Sequence, residues 1–456
     1  MTTPAARVNI AELLANSTVG PLQKRVFILC ALCLIIDGFD VQAMGYVAPA
    51  AFGELEIPLP ALGGLLAAAN VGVLIGSLLF SPVADKIGRR PVLIGATLFF
   101  AVLTIATAFA QSLDQLWWLR LIAGIGMGCI IPNATALVGE FSPAKKRVTL
   151  MMTITVGFTA GAALGGFVAA ALIESFGWRS VFLVGGAIPL VIALAMITSL
   201  PESLQFLAVR RTNLAALGKW LTKLDPTLTV DASTEYVANE KSEGGVPVVH
   251  LFREGRGMVT VLLWVVNFMN LLNLYTLAGW LPTIMTLNGY SRPTAVLVGT
   301  VLQVGGTIGT FGLAWLIARR GFIPMLTISF ALAAASIAVI GSPGVLMSLT
   351  MLFVVVFVAG WCVVGSQPGV NALAATFYPT YLRSTGVGWG LGIGRVGAIV
   401  GPMIGGALLA QQWTTQQLFW AAAVPAVVTA LTMFSLRWFI RPQVRGAQPS
   451  AAAIGH

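Results

Sequence analysis

Residues 61–111 read ALGGLLAAANVGVLIGSLLFSPVADKIGRRPVLIGATLFFAVLTIATAFAQ, so that two long apolar runs flank a short basic turn. Each run has about 20 residues, enough for a helix to cross a hydrocarbon layer about 30 Å thick. Helices are expected because lipid offers no hydrogen-bonding partner to exposed backbone groups. The stretch therefore predicts two membrane-spanning helices joined by a polar loop.

The same pattern recurs along nearly the whole chain. The 456 residues are 57% hydrophobic and only 9% charged, whereas soluble domains carry about 25% charged residues. We predict twelve transmembrane helices, at about residues 25–49, 61–83, 92–111, 116–138, 148–172, 180–200, 258–281, 294–317, 323–341, 346–372, 384–409 and 416–438.

The positive charge of the chain is distributed unevenly between these predicted helices. The formal net charge is +10, yet 22 of the 26 lysines and arginines fall on one side of the predicted membrane. This asymmetry is typical of cytoplasmic loops. It predicts an inner-membrane protein with both termini in the cytoplasm, and it argues against binding to nucleic acid.

Two halves of the chain resemble each other. FSPAKKR at 141–147 recurs as FYPTYLR at 377–383, and the helix after each carries glycines four residues apart. Glycines at this spacing let helices approach closely. The sequence thus predicts an all-α membrane protein with two pseudo-symmetric six-helix bundles. Its predicted parts are an N-terminal segment (1–24), a first bundle (25–200), a central cytoplasmic loop (201–257), a second bundle (258–440) and a tail (441–456).

Two acidic residues lie inside the first predicted span. Asp37 is 12 residues beyond Arg25, a rise of about 18 Å, which is close to the bilayer centre. Ionised carboxylates are costly at that depth, and the three-residue spacing puts Asp37 and Asp40 on one helix face. Two such carboxylates do not ionise together easily, so the pair can hold a proton near neutral pH. We interpret the pair as a proton-coupling site; structural pairing with neighbouring groups is the alternative.

Two arginines, Arg120 and Arg395, lie inside predicted spans rather than at their outermost two residues. Arg395 is 12 residues past Arg383, again about 18 Å deep, and the glycines around it leave room for a ligand. Its planar guanidinium can grip a carboxylate with two hydrogen bonds, so it is the candidate substrate residue, with an ion pair to Asp37 or Asp40 as the alternative. Arg120 lies nearer a predicted helix end, where it takes part in proton coupling or pairs with Asp37, or else reaches the membrane surface.

Uncharged polar and aromatic residues supply further candidates for a substrate site. Three asparagines, Asn267, Asn270 and Asn273, follow one another at three-residue spacing in the seventh span. Such amides together with aromatic rings suit a hydroxylated ring compound, although bonding between helices also explains them. The candidate substrate residues besides Arg395 are Asn267, Phe268, Asn270, Gln303, Trp361, Gln367 and Asn371.

DKIGRR at 85–90 resembles the loop signature of the major facilitator superfamily, in the topological position where that family carries it. The resemblance implies a gate at the cytoplasmic side, formed by Asp85, Arg89, Arg90, Glu140, Arg147 and Arg383. Surface ion pairing is the alternative for Glu140 and Arg147. The equivalent turn of the second half, Ala318-Arg319-Arg320, lacks the acid, so a symmetric gate is not expected.

DGFDVQAMG at 37–45, PNAT at 132–135 and LGIGR at 391–395 are similar to the aromatic acid:H+ symporter family. This resemblance implies import of a small aromatic carboxylate with protons, and a requirement for Asp37 and Asp40. We expect alternating access between the two bundles, with no cofactor or metal, and a monomer in the lipid bilayer. The alternatives are a carrier for a sugar, aliphatic acid or exported drug, and a ligand-sensing receptor. An enzyme is not expected, since no nucleophile–base or metal-ligand set is present.

Overall fold

The computed structural model describes residues 7–210, 214–224, 235–237 and 248–440. Within them, twelve helices are long and apolar enough to cross a membrane, which confirms the predicted fold class. In order, spans 1 to 12 are Pro21–Glu54, Ala61–Ile87, Arg89–Thr107, Leu113–Phe141, Arg147–Phe176, Arg179–Ser199, Gly257–Leu287, Arg292–Arg320, Phe322–Ile340, Leu349–Phe377, Thr380–Ala410 and Thr415–Phe439. Several of these helices extend beyond their predicted apolar runs, because a helix continues into the polar interface where hydropathy no longer marks it.

Spans 4 and 10 are each broken into two helices, whereas the sequence predicted continuous ones. Span 4 consists of Leu113–Met127 and Ile130–Phe141, and span 10 of Leu349–Val363 and Gln367–Phe377. A proline follows each break, Pro132 and Pro368 respectively. Proline has no N–H to donate to the carbonyl four residues earlier, which is the carbonyl of Gly128 or Val364. The two halves therefore share the same irregularity at the same place.

The two halves also repeat their internal packing. Span 1 packs most extensively on span 5, and span 7 on span 11. Glycines make both contacts close: a Cβ on Gly161 would lie 1.8 Å from Ile35 O, and one on Gly397 would lie 2.2 Å from Phe268 O. The glycines that the sequence analysis identified at four-residue spacing are thus the helix-packing positions in each half.

Since the chain crosses the membrane an even number of times, span 1 begins and span 12 ends at the same side, here called the terminal face. Several contacts between the halves lie toward the other side, the opposite face. A Cβ on Gly63 of span 2 would lie 2.5 Å from Pro402 O of span 11, and one on Gly166 of span 5 would lie 1.9 Å from Thr300 Oγ1 of span 8. Gln42 Nε2 donates to Ala278 O at 3.3 Å between spans 1 and 7. These contacts close the opposite face.

Short elements outside the spans pack on the first half at the terminal face. They are a two-stranded parallel pairing of Arg7–Asn9 with Glu235–Val237 and the helices Ile10–Asn16, Leu204–Arg210 and Leu214–Leu224. Leu14, Leu207 and Leu221 are buried in one cluster with residues at the terminal-face ends of spans in the first half. A 3-10 helix, Val248–Phe252, contacts spans 7 and 11 instead. Residues 1–6 and the predicted tail 441–456 lie outside the described residues, and the predicted domain boundaries stay predictions.

One of the two closest helix contacts gives a stability prediction. A Cβ on Gly38 would lie 1.8 Å from Phe158 O, which is backbone and cannot rotate away. We expect Gly38→Ala to lower the free energy of unfolding by about 1–3 kcal/mol, because overpacking forces two helices apart. The thermal unfolding midpoint of the purified protein in detergent measures this. In the matched control Gly64→Ala, the new Cβ meets nothing within 4 Å, so the midpoint should stay level or rise. Equal midpoints for Gly38→Ala and the parent would contradict the packing described.

Candidate functional site

A buried ion pair lies in the first half. Arg120 Nη1 donates to Asp40 Oδ2 at 2.9 Å, and both side chains are about 98% buried or more. Thr104 Oγ1 donates to Asp40 Oδ1 at 3.2 Å, and Arg120 Nη2 reaches Thr107 Oγ1 at 3.3 Å. The guanidinium also lies 5.1 Å from the centroid of the Phe182 ring. Arg120 therefore does not reach the membrane surface, and its partner is Asp40 rather than Asp37.

Asp37 is placed differently from Asp40. It is 2% exposed, and its Oδ1 is buried without a hydrogen-bond partner among the described residues. Its carboxyl group interacts electrostatically with Arg395, and less strongly with Asp40. The two acids are therefore not equivalent: Asp40 is bound within the first half, while Asp37 interacts with a charge of the second.

Arg395 lies on span 11 and is half-buried. Among the described residues it makes no hydrogen bond or ion pair, so the ion pair with Asp37 or Asp40 is not formed in this structure. A Cβ on the nearby Gly392 would meet nothing within 4 Å, although Gly394 packs against Leu271. A guanidinium that is partly desolvated, unpaired and next to open space is suited to bind a carboxylate.

An amide network links spans 7 and 10. Asn270 Nδ2 donates to Gln367 Oε1 at 2.7 Å, and Gln367 Nε2 donates to Asn267 Oδ1 at 2.9 Å and to Asn371 Oδ1 at 3.3 Å. Four of the candidate substrate residues are thus brought together. Gln367 begins the second helix of span 10, so the break in this span positions the central amide of the network.

The other candidate substrate residues are not joined to this network. Gln303 is buried on span 8, and its side-chain amide makes no hydrogen bond to a described residue. Trp361 packs on span 8, since a Cβ on Gly312 would lie 2.3 Å from its ring. Phe268 is half-buried on span 7. A substrate role for these three residues stays a prediction.

The predicted gate residues are partly assembled at the terminal face. Arg89 forms an ion pair with Glu140, and Arg90 Nε donates to Leu200 O at 2.7 Å. Asp85 is exposed, and its main-chain carbonyl accepts a hydrogen bond from Arg210 at 3.5 Å. The Asp85 carboxylate, Arg147 and Arg383 make no hydrogen bond or ion pair to the described residues. The structure therefore connects span 3 to spans 4 and 6 but does not join the Asp85 carboxylate to the other predicted gate residues.

Glu202 is a further member of this group that the sequence analysis did not select. Its Oε1 accepts from the main-chain N–H groups of Arg89 and Arg90, at 3.0 and 3.1 Å. It thus caps the start of span 3, where unpaired N–H groups favour an acid. The sequence signal is the Pro201-Glu202-Ser203 turn shortly after the end of span 6.

The geometry defines a class of protein. Twelve spans in two related halves, closed at one face and with buried charges near the middle of the membrane, are the architecture of a secondary transporter. The chain belongs to the Major Facilitator Superfamily, whose family model matches residues 30–341 and 263–454. It is a multi-pass membrane transporter and not an enzyme.

Similar proteins cover nearly the whole chain. The 4-hydroxybenzoate transporter PcaK of Pseudomonas putida is 37% identical over 93% of this chain and 94% of its own length. The gallate transporter of the same species is 36% identical, over 94% of this chain and 95% of its own. Among solved structures, a bacterial homologue of the human lysosomal transporter Spinster, in an inward-facing and unoccupied conformation, has a TM-score of 0.71. It is 17% identical and covers 92% of this chain and 98% of its own, so it supports the fold alone.

Proposed function

We propose that this protein imports small aromatic carboxylates, such as hydroxybenzoates, together with protons. The observation that carries the proposal is the unpaired, half-buried guanidinium of Arg395, which interacts across the two halves with the unpaired carboxyl group of Asp37. The relatives named for 4-hydroxybenzoate and gallate support the substrate class.

The substrate carboxylate binds Arg395, and the ring lies toward the amide network of spans 7 and 10. The fork of the guanidinium matches the two oxygens of a carboxylate. Asn267, Asn270, Gln367 and Asn371 offer donors and acceptors to ring hydroxyl groups after small rearrangements of the network. Phe268, Gln303 and Trp361 extend the proposed site.

Proton coupling follows from the placement of Asp37. An ionised Asp37 competes with the substrate carboxylate for Arg395, because both are anions close to one cation. A proton on Asp37 removes that competition, so proton and substrate bind together. Asp40 and Arg120 hold the surrounding helices by their ion pair and keep the coupling region in place.

Transport proceeds by alternating access in the inner membrane, with both termini in the cytoplasm. In this assignment the terminal face is cytoplasmic, the structure is the inward-open state, and Asp85 engages its gate partners when the cytoplasmic side closes. The proton gradient is the energy source, no cofactor takes part, and the monomer in the bilayer is the working unit.

Uptake of radiolabelled 4-hydroxybenzoate into proteoliposomes tests the proposal. An inward proton gradient should drive accumulation by the parent protein. In Asp37→Asn we expect gradient-driven accumulation to fall at least about tenfold, because the coupling carboxyl group is lost, while exchange of internal for external substrate continues.

The matched control is Glu174→Gln, since Glu174 is exposed near the end of span 5. It should accumulate substrate like the parent. No uptake of 4-hydroxybenzoate, gallate or benzoate by folded parent protein would overturn the substrate class. Uptake that is the same with and without the proton gradient, or full accumulation by Asp37→Asn, would overturn the proposed proton coupling.

A further inference from the structure

Asn70 is a buried amide of span 2 with one acceptor free. It is the tenth residue of the 27-residue helix Ala61–Ile87 and is 7% exposed. Its Nδ2 donates to Leu66 O at 3.1 Å, within the same helix. Its Oδ1 makes no hydrogen bond to a described residue and, unlike Asp37 Oδ1, is not completely buried. Asn70 therefore offers an open acceptor at a depth where lipid supplies no donor.

The face of span 2 that carries Asn70 points toward the second half. Gly63 packs on Pro402 of span 11. Asn70 follows Gly63 by seven residues, a rotation of about 700°, which is within about 20° of two full turns. Leu66, one turn before Asn70, packs against Gly279 of span 7, where a Cβ would lie 2.5 Å from Leu66 Cδ1. Asn70 thus lies between the directions of spans 7 and 11.

Arg395 occupies the matching position on span 11. It precedes Pro402 by seven residues, so it lies on the same face of its helix as the contact with Gly63. Spans 2 and 11 run in opposite directions, and each seven-residue step leads about 10 Å toward the terminal face. A second contact keeps the same register, since a Cβ on Gly406 would lie 2.6 Å from Pro60 O. Asn70 and Arg395 therefore lie at the same level, on facing sides of the two halves.

The hydrogen-bonding groups of Asn70 and Arg395 are complementary. A guanidinium has five N–H donors and no acceptor, and a carboxylate takes two of these donors. Arg395 makes no hydrogen bond or ion pair to a described residue, so donors remain for a second partner. Asn70 Oδ1 is an acceptor without net charge. It can hold the guanidinium without competing with a substrate anion, whereas an ionised Asp37 competes.

We propose that Asn70 is a positioning residue for Arg395. When substrate is bound and Asp37 is protonated, Asn70 Oδ1 accepts a hydrogen bond from an Arg395 N–H group that the carboxylate does not use. In this structure that bond is absent, and Arg395 interacts with Asp37 instead. Arg395 thus exchanges a charged partner on span 1 for a neutral partner on span 2, and the new bond ties the two halves together around the substrate. This role rests on the proposed function, but the facing arrangement of Asn70 and Arg395 does not.

A charge at position 70 tests the facing arrangement without any substrate. In Asn70→Asp the new carboxylate lies opposite Arg395, so the two buried charges compensate each other and the unfolding midpoint in detergent should stay near that of the parent. In Asn70→Asp/Arg395→Leu the carboxylate has no cation, and we expect the folded, monodisperse fraction to fall at least about fivefold. Arg395→Leu alone should fold nearly like the parent.

Two results of this experiment would overturn the proposal. One is an Asn70→Asp variant that is as unstable alone as together with Arg395→Leu. The other is parent-like folding of both variants. In either case the effect of a charge at position 70 does not depend on Arg395, so the two positions do not face each other.

Isothermal titration of 4-hydroxybenzoate tests the role in binding. Asn70→Leu removes the acceptor and should raise the dissociation constant about tenfold, as one hydrogen bond to a charged group provides. Asn70→Asp should raise it further, because its carboxylate occupies Arg395. The matched control is Asn288→Leu, which removes an amide bonded to Ile284 O just after the end of span 7, and it should bind like the parent.

A double-mutant cycle separates positioning from direct contact with the substrate. Lysine at position 395 is a point charge without a planar fork to orient, so in the Arg395→Lys background Asn70→Leu should weaken binding less than about twofold. The same tenfold loss in both backgrounds would show that Asn70 acts on the substrate itself and contradict a positioning role. Parent-like affinity in Asn70→Leu would contradict it as well.

Failure of the proposed function gives a different result. If folded parent protein binds no 4-hydroxybenzoate, the substrate class is wrong and the role of Asn70 in binding it is refuted too. The stability of Asn70→Asp with and without Arg395 then still decides whether the two residues face each other.

Discussion

Arg120→Leu is expected to leave little folded protein in the membrane. The substitution strands the carboxylate of Asp40 in a position about 98% buried or more, with only Thr104 to bond it. Breaking a buried ion pair by removing one partner costs about 3–5 kcal/mol, which is a large part of the stability of most folded proteins. The measurement is the fraction of monodisperse protein after extraction in mild detergent, together with its thermal unfolding midpoint.

The double variant Asp40→Asn/Arg120→Leu distinguishes two causes of instability. One is a buried carboxylate left without its cation, and the other is the absence of the ion pair itself. It removes both charges and should recover most of the folded fraction, because replacing a buried pair by neutral groups is often close to neutral. A single variant that folds like the parent would show that Asp40 finds another partner. A double variant as unstable as the single would show that the pair is needed for packing rather than for charge balance.

Arg395→Leu is expected to weaken binding of aromatic carboxylates strongly while preserving the fold. Losing a hydrogen-bonded charge partner costs about 2–4 kcal/mol, which raises the dissociation constant roughly 30- to 1,000-fold. Because Arg395 makes no hydrogen bond or ion pair to a described residue, its removal breaks no such bond and takes away only the longer-range attraction to Asp37, so the unfolding midpoint should fall only slightly. Isothermal titration of 4-hydroxybenzoate into purified protein measures the affinity.

Arg395→Lys and Arg292→Leu are the comparisons for this result. Lysine keeps the charge but not the planar fork, so an intermediate affinity is expected. Arg292 is exposed at the start of span 8, and its replacement should leave binding unchanged. Parent-like affinity in Arg395→Leu would exclude Arg395 as the carboxylate partner and direct attention to the amides of spans 7 and 10.

The sequence was informative about the fold because hydropathy and charge asymmetry act along the chain. Both depend on local composition, so they located all twelve spans without any knowledge of packing. The breaks in spans 4 and 10 were missed because the apolar runs continue through them. Pro132 and Pro368 were the available signals, since each removes one backbone hydrogen bond within an apolar run.

Partners in the site were harder to predict because they depend on how helices are rotated against each other. The distance of Asp37, Asp40 and Arg395 from the ends of their helices placed them inside the membrane. Sequence spacing alone, however, did not identify Asp40 as the partner of Arg120. The membrane surface stayed an open alternative for Arg120 because span 4 was predicted to begin at residue 116. The helix starts at Leu113, which puts Arg120 about 10 Å along it. The role of Glu202 required the packed structure, because its partners are main-chain groups more than 100 residues away along the chain.

The way the opposite face is closed affects the speed of the conformational cycle. The contacts described above pack glycine positions against a backbone oxygen and a hydroxyl group, and add one hydrogen bond from the neutral amide of Gln42. Separating these surfaces breaks van der Waals contacts and exposes no ion to water, and closing them again removes no water from an ion. The activation barrier of this step therefore includes no cost of dehydrating charged groups. Ionic strength should hardly change this step, since screening acts on charges. At the terminal face, in contrast, the predicted gate residues Arg89 and Glu140 carry opposite charges and are partly exposed, so we expect dissolved salt to act on the gate there and not on the contacts of the opposite face.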